Sequence, residues 1–305
     1  MPACFRLSRL RPVMLARLLV VTLALALLPA VTPAPTTAQA APSQTENPEV
    51  LRVGLLPNIA PDAVRARYQP FGEYLSAALG MPVELFVATD YTGVVEAMAS
   101  EKLDIAWFGG LTYVLAEQRV DLTPIVTQLD AETGTSQYYS AIITRPDSGI
   151  ETTADIAGRV FAFGDIGSTS GSLYPRIMLD RAGITNFEDP ALFIYTGGHD
   201  ATTLAVANGT VDAGGVEKRI MQELIAAGRA DGSQLRVIEE SLVEGYPWCV
   251  RTALGADLTE RITVAFEQMT DPALLKLFRA TGHARVTAAD YEEARTEARR
   301  VGLVR

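Results

Sequence analysis

The chain has 305 residues, with 36 acidic against 26 basic side chains and two cysteines. A net charge of −10 argues against nucleic acid or an anionic membrane surface as partner. The length is enough for two lobes of ordinary size. Residues 1–40 read as a secretory signal peptide. Arg6, Arg9, Arg11 and Arg17 precede an apolar run from Leu18 to Leu28, and Ala38-Gln39-Ala40 supplies a small-residue cleavage pattern. The run is shorter than the roughly 20 residues that span a bilayer. Cleavage would send the mature chain to the periplasm with 22 basic and 36 acidic side chains, a net charge of −14. Cys4 would leave with the leader, so Cys249 has no intramolecular partner and reads as a buried apolar filler. Residues 41–49 read as a disordered lead-in.

From residue 50 strands and helices alternate. Val50 to Leu56 reads as a strand, Tyr68 to Leu79 as a helix, Val83 to Ala88 as a strand, and Thr89 to Thr92 as a loop entering a helix through Val94, Val95 and Met98. Leu103 to Phe108 is a strand, Gly109-Gly110 a tight turn and Tyr113 to Gln118 a helix. Such alternation predicts a parallel α/β sheet, in which ligands bind beyond the carboxyl ends of the strands. Tyr91 and Trp107 stand at those ends. Trp107, among apolar neighbours, reads as core packing. Tyr91 is open between a solvent-facing tyrosine and a ligand contact.

Tyr138 to Thr144 reads as the passage into a second lobe. There Val160 to Phe163 is a buried strand, broken by Gly164 and Gly167, and Ser168, Thr169 and Ser170 fall where a helix begins. A first helical turn has unpaired N–H groups and a partial positive charge, and three hydroxyls add donors. Together they form a cradle for a small oxyanion. The plainer reading is that Ser168 or Ser170 only caps the helix. Further on, Phe193 to Tyr195 and Val211 to Val216 read as strands, with Gly197-Gly198-His199-Asp200 leading a helix that runs to Ala207 and another helix from Lys218 to Ala227. His199 is a candidate donor to an oxyanion. Arg219, just past a strand end, reads either as a ligand charge or, among Glu217, Lys218 and Glu223, as part of a solvated helix face. Tyr246 to Val250 reads as a second crossover, and residues 256–305 as a helical tail packed on the first lobe, with His283 on the surface.

The chain also repeats itself at an offset of 108 residues. Leu51–Leu55 falls on 159–163, Val83 to Phe86 on 191–194, and Ala97-Met98-Ala99 on Ala205-Val206-Ala207. A shared βαβαβ plan explains this, and places His199 where Tyr91 stands. The expected fold is therefore α/β, with two similar Rossmann-like lobes joined by two crossover strands and a ligand cleft between them. Lobe 1 takes residues 50–138 and 246–305, and lobe 2 residues 139–245.

Asp90-Tyr91, Asp104-Ile105-Ala106-Trp107, Tyr138-Tyr139-Ser140, Ser168-Thr169-Ser170-Gly171, Gly198-His199-Asp200 and Ala205-Val206-Ala207-Asn208 resemble the phosphate/phosphite/phosphonate substrate-binding proteins of ABC transporters. The resemblance implies two lobes that close on ligand and an ABC permease as partner. It makes Ser168, Thr169, Ser170, His199, Tyr91 and Tyr138 the holders of the oxyanion head. Aminophosphonate binders of the family also set two acids against the ligand's ammonium group. At the matching positions this chain has Arg219 and Tyr246. A cation in place of an acid favours a ligand without an amine: phosphate, phosphite, or a selenium or sulfur oxyanion.

An enzyme is not supported. Gly167-Ser168-Thr169-Ser170-Gly171 has Thr169, not Ser, at the centre of the elbow pattern, and no His/Cys/Asp cluster has metal-ligand spacing. No catalytic residue, metal or cofactor is expected, and the binder is expected to be a monomer. The rival is a sensor module signalling to a membrane receptor.

Overall fold

The computed structural model describes residues 47–304. The leader read in residues 1–40 and most of the lead-in lie outside the described residues. Apolar residues at 51, 53 and 55 make β1 (Leu51–Leu55) a core strand. It pairs in parallel with β2 (Val83–Val87) and β3 (Ile105–Trp107). The connections are α1 (Pro61–Leu79) and α2 (Tyr91–Ala99), and α3 (Gly110–Glu117) follows β3. α1 begins seven residues before the expected start, because Pro61 is well suited to a first helical turn. Val64, Tyr68, Phe71, Leu75 and Leu79 then hold one buried stripe along it.

β4 (Leu122–Asp130) lies in the same sheet, and β5 (Gln137–Thr144) opens a second one. That sheet adds β6 (Phe161–Phe163), β7 (Phe193–Tyr195), β8 (Ala213–Glu217) and β9 (Arg236–Glu244). Between these strands run α4 (Tyr174–Arg181), α5 (His199–Ala207) and α6 (Lys218–Ala226). β10 (Pro247–Arg251) returns to the first sheet, followed by α7 (Ala256–Glu267), α8 (Pro272–Leu277), β11 (Ala280–Arg285) and α9 (Glu292–Arg300). The strand orders are β11-β4-β10-β3-β1-β2 and β7-β6-β8-β5-β9. Each sheet has a parallel trio in the order second-first-third, then an antiparallel strand, β10 in one and β5 in the other. The repeat is thus a repeat of structure, and α2 and α5 occupy positions 108 residues apart end to end.

Three strands were not anticipated. β4 contains Pro124, which sits beside the register shift in its pairing with β10, where a missing N–H is tolerated. β9 is an edge strand carrying Glu239, Glu240 and Glu244, charges that keep an edge from pairing further. β11 has the weak strand formers Ala280, Gly282 and Ala284 and is held by pairing to β4. The tail is therefore not wholly helical, and His283 on β11 is buried between Phe266 and Phe278 rather than on the surface. The expected lobe boundary at 138/139 falls inside β5, whose pairing puts Tyr138 in the second sheet.

An aromatic stack fills the first lobe. Phe71, Phe266 and Phe278 surround Trp248, whose ring lies 6.1 Å from Trp107. Trp107 continues the stack to Tyr246 at 4.8 Å. Cys249, in the same sheet, is buried and unbridged.

Candidate ligand-binding site

The carboxyl ends of the parallel strands converge, and so do the starts of four helical segments: α2 at Tyr91, α3 at Gly110, the π-turn Thr169–Leu173 that leads into α4, and α5 at His199. Their first-turn N–H groups concentrate positive potential in one place without a free cation.

The cradle is built by its own loop. Gly164 N–H donates to Gly171 O at 2.8 Å, and Asp165 accepts from Gly167 N–H and, through its carbonyl, from Ser168 N–H. Ser168 Oγ accepts from Gly171 N–H at 3.0 Å, so the capping reading holds for Ser168. A Cβ on Gly171 would stand 2.9 Å from both His199 Cε1 and Ser168 Oγ, which explains the glycine ending the run. Thr169 Oγ1 accepts from Leu111 N–H of α3 at 2.9 Å, and Ser170 Oγ accepts from Tyr138 Oη–H at 3.2 Å. Each of the three hydroxyl oxygens thus already accepts a protein hydrogen bond. Each hydroxyl keeps one hydrogen of its own to donate.

Two further donors have no partner. Tyr91 Oη and His199 Nε2 are buried and unbonded, in residues 1 % exposed. Glu217 N–H donates to His199 Nδ1 at 3.0 Å, which fixes the proton on Nε2. Burial lowers the His199 pKa to about 4, so the ring is a neutral donor at physiological pH. Burial, then the negative charge of Asp165 and Glu217, pushes the Tyr91 phenol well up and keeps it protonated. Asn58, at the end of β1, accepts from His199 N–H through its carbonyl, and its Nδ2 is a third buried donor without a partner. Its position past a strand end was the signal for it in the sequence.

Arg219 is neither a solvated helix face nor a free cation. It is 6 % exposed and pairs with Asp130 at 2.5 Å and Glu217 at 2.7 Å, with its guanidinium 4.4 Å from the Tyr138 ring centroid. Tyr246 Oη–H donates to the other oxygen of Glu217 at 2.6 Å. The two tyrosine rings stand 5.3 Å apart, a wall backed by these charges. Despite complete burial, the charge of Arg219 and the donors around it lower the Glu217 pKa to about 2. Glu217 ends β8, two residues from Arg219; nothing in the sequence marks Asp130 as the partner of Arg219.

The elements of the two sheets meet over this site. Tyr91 N–H donates to Asp165 Oδ2 at 3.3 Å, Thr112 Oγ1–H to Gly167 O at 2.8 Å, and Ala60 N–H to Asp200 Oδ2 at 3.2 Å. All eight expected residues, Tyr91, Tyr138, Ser168, Thr169, Ser170, His199, Arg219 and Tyr246, are at most 6 % exposed. Among the described residues no group of three His, Cys, Asp or Glu side chains could hold a metal ion.

The family profile described as "ABC transporter, phosphonate, periplasmic substrate-binding protein" matches residues 53–293. The phosphate-import protein PhnD of Mycolicibacterium smegmatis is 31 % identical over 271 residues, covering 81 % of this chain and 84 % of that protein. A probable ABC transporter phosphite-binding protein, PhnD1 of Prochlorococcus marinus, is 26 % identical over 278 residues, covering 85 % of this chain and 92 % of that one. The crystal structure of PhnD1 from Prochlorococcus marinus with methylphosphonate superimposes with a TM-score of 0.74 at 23 % identity, over 85 % of this chain and all of that one. With a profile match over most of its length and a relative above 30 % identity, the chain belongs to the periplasmic phosphonate substrate-binding proteins of ABC transporters.

Proposed function

We propose that the mature chain captures one small tetrahedral phosphorus oxyanion without an amine, such as phosphate, phosphite or methylphosphonate, in the periplasm and delivers it as a monomer to an ABC permease. The observation that carries this is the donor set. Ser168, Thr169 and Ser170 have their oxygens engaged and a hydrogen each to donate, beside the unpartnered Tyr91 Oη and His199 Nε2. Such a site recognises oxygens around a tetrahedral centre. It holds no nucleophile with a general base beside it, so no turnover is expected. The lobes are read as 50–136 with 246–304, and 137–245, closing over the ligand. Carriage is favoured over sensing because one sequence relative is a phosphate-import protein and another a probable ABC transporter phosphite-binding protein.

Calorimetry of the purified mature protein against a panel of oxyanions tests the reading. Thr169→Ala and Ser170→Ala are each expected to weaken binding by about 1–3 kcal/mol, the loss of a charge-assisted hydrogen bond. Unchanged affinity in both, with folding intact, would mean that these hydroxyls only organise the loop.

The panel also probes the tail of the ligand. An ammonium group brought into the closed site needs an acceptor, and both oxygens of Glu217 are already taken by Arg219 and Tyr246. A buried ammonium left unpaired is costly. Phosphite or phosphate is therefore expected to bind at least about tenfold more tightly than 2-aminoethylphosphonate, a difference of about 1.4 kcal/mol. A preference for the aminophosphonate would show that Glu217 or Asp130 is free to take its amine.

A further inference from the structure

Helix α6 carries Arg219 and Glu223 four residues apart, so both project from one face. Arg219 reaches Asp130 at the end of β4. Glu223 reaches two arginines on elements of the first sheet's side. Arg67 of α1 grips it with both nitrogens, Nη1 to Oε2 at 2.9 Å and Nη2 to Oε1 at 3.0 Å, and Arg279 Nη2 donates to Oε2 at 2.6 Å. Asp130 and Arg279 are themselves adjacent, since Ala131 N–H donates to Arg279 O at 3.0 Å. A plus and a minus on α6 thus meet a minus and a plus on the other lobe.

The receiving side is built for this. Arg67 Nε donates to Leu277 O at 2.9 Å and its Nη2 to Lys276 O at 3.3 Å, so the carbonyls ending α8 orient the guanidinium. Arg279 is held at φ 57°, a left-handed backbone that non-glycine residues rarely adopt. Grooves of about 650 and 710 Å³ flank the cluster, and Glu223 lines both. The Glu223 side chain is 40 % exposed, so water and salt reach it, unlike the buried Arg219–Asp130 pair.

We propose that Glu223, with Arg67 and Arg279, is an electrostatic latch that sets how much of the protein is closed, and so sets ligand affinity without touching ligand. The arrangement in the structure brings the cradle, Tyr91 and the start of α3 together across the two sheets, and lobe opening would part them. The apparent dissociation constant therefore scales inversely with the closed fraction. The latch rests on the reading of the two lobes as closing on ligand, not on the identity of the oxyanion.

The test uses the mature protein and two variants. Glu223→Gln keeps the shape and removes the charge at a half-exposed position. Glu260→Gln breaks an ion pair with Arg285 that lies within the first lobe and serves as control. Small-angle scattering without ligand should give a larger radius of gyration for Glu223→Gln than for the parent or the control. Raising salt from about 20 mM to 500 mM should expand the parent toward that value and leave the variant nearly unchanged. Calorimetry with phosphite or phosphate should show affinity about three- to tenfold weaker in Glu223→Gln only, as expected for a network with a bidentate pair. Equal scattering and equal affinity in all three proteins would overturn the latch. If neither anion binds the parent, the ligand assignment fails, while the scattering comparison still decides the latch.

Discussion

Glu217→Ala is expected to cost the ligand-free protein about 3–5 kcal/mol of folding stability, the range for breaking one side of a buried ion pair. The cause is what the carboxylate leaves behind. Arg219 retains Asp130 but loses its contacts from Nε and Nη2, at a position only 6 % exposed. Tyr246 Oη loses its acceptor, and the truncated side chain leaves a void behind the tyrosine wall. Glu217→Gln should fare little better, because one half of its amide would aim donors at the guanidinium or at Tyr246. Chemical denaturation without ligand measures the effect and avoids stabilisation by bound anion. A loss below about 1 kcal/mol would place the pair in the class of exposed ion pairs and contradict its burial. The hydrogen bond that orients His199 comes from the backbone of Glu217, so the imidazole tautomer should survive both substitutions.

A second large effect is expected with acid. Burial lowers the pKa of both His199 and His283 to about 4, against an ordinary value near 6.5. Well above pH 6.5 neither folded nor unfolded chain carries these protons, and the histidines contribute nothing to the pH dependence. As pH falls from about 6.5 toward 4, the unfolded chain binds protons that the folded chain refuses, and stability drops. Between about pH 7.5 and pH 5 the loss should be about 2 kcal/mol per histidine, or about 4 kcal/mol for the two. Asp165 and Glu244, whose pKa values burial pushes up, act in the opposite direction, adding stability as pH falls through their raised values. Glu217, whose pKa is depressed, costs stability only below about pH 4.5. Above about pH 5 the histidine signal is free of the Glu217 contribution. His283→Leu should remove about half of the drop, since leucine suits a site between Phe266 and Phe278. If that variant loses stability as steeply as the parent, His283 is not held neutral in the fold.

His283 also shows where reading the sequence ended. Its neighbours Gly282, Ala284 and Arg285 carry no alternating pattern, and β11 exists because β4 offers it a partner. β4 was hidden in turn by Pro124. Burial of His283 follows from that long-range pairing and from nothing local. The opposite holds for the core strands β1, β3 and β8 and the repeat that relates the two lobes. There the apolar pattern and turn chemistry agree with the fold, so local and global signals point the same way. The cradle was legible for the same reason: glycines broke a strand and hydroxyls opened a helix. Arg219 was legible as a residue of interest but not as a paired one. Its partner Asp130 is 89 positions away, and a charge cluster read along one helix cannot report a neighbour on another strand.

The aromatic stack of the first lobe has an optical consequence. The chain's two tryptophans, Trp107 and Trp248, lie in one stack with their planes 19° apart. Trp107 also touches Tyr246, whose hydroxyl is tied to Glu217. Both indoles thus sit in one stack, Trp107 against the tyrosine wall and Trp248 one ring behind it. The emission of the unlabelled protein is a single-site signal, with no remote tryptophan to dilute it, and any rearrangement of the Tyr246–Glu217 contact is reported from within the molecule itself.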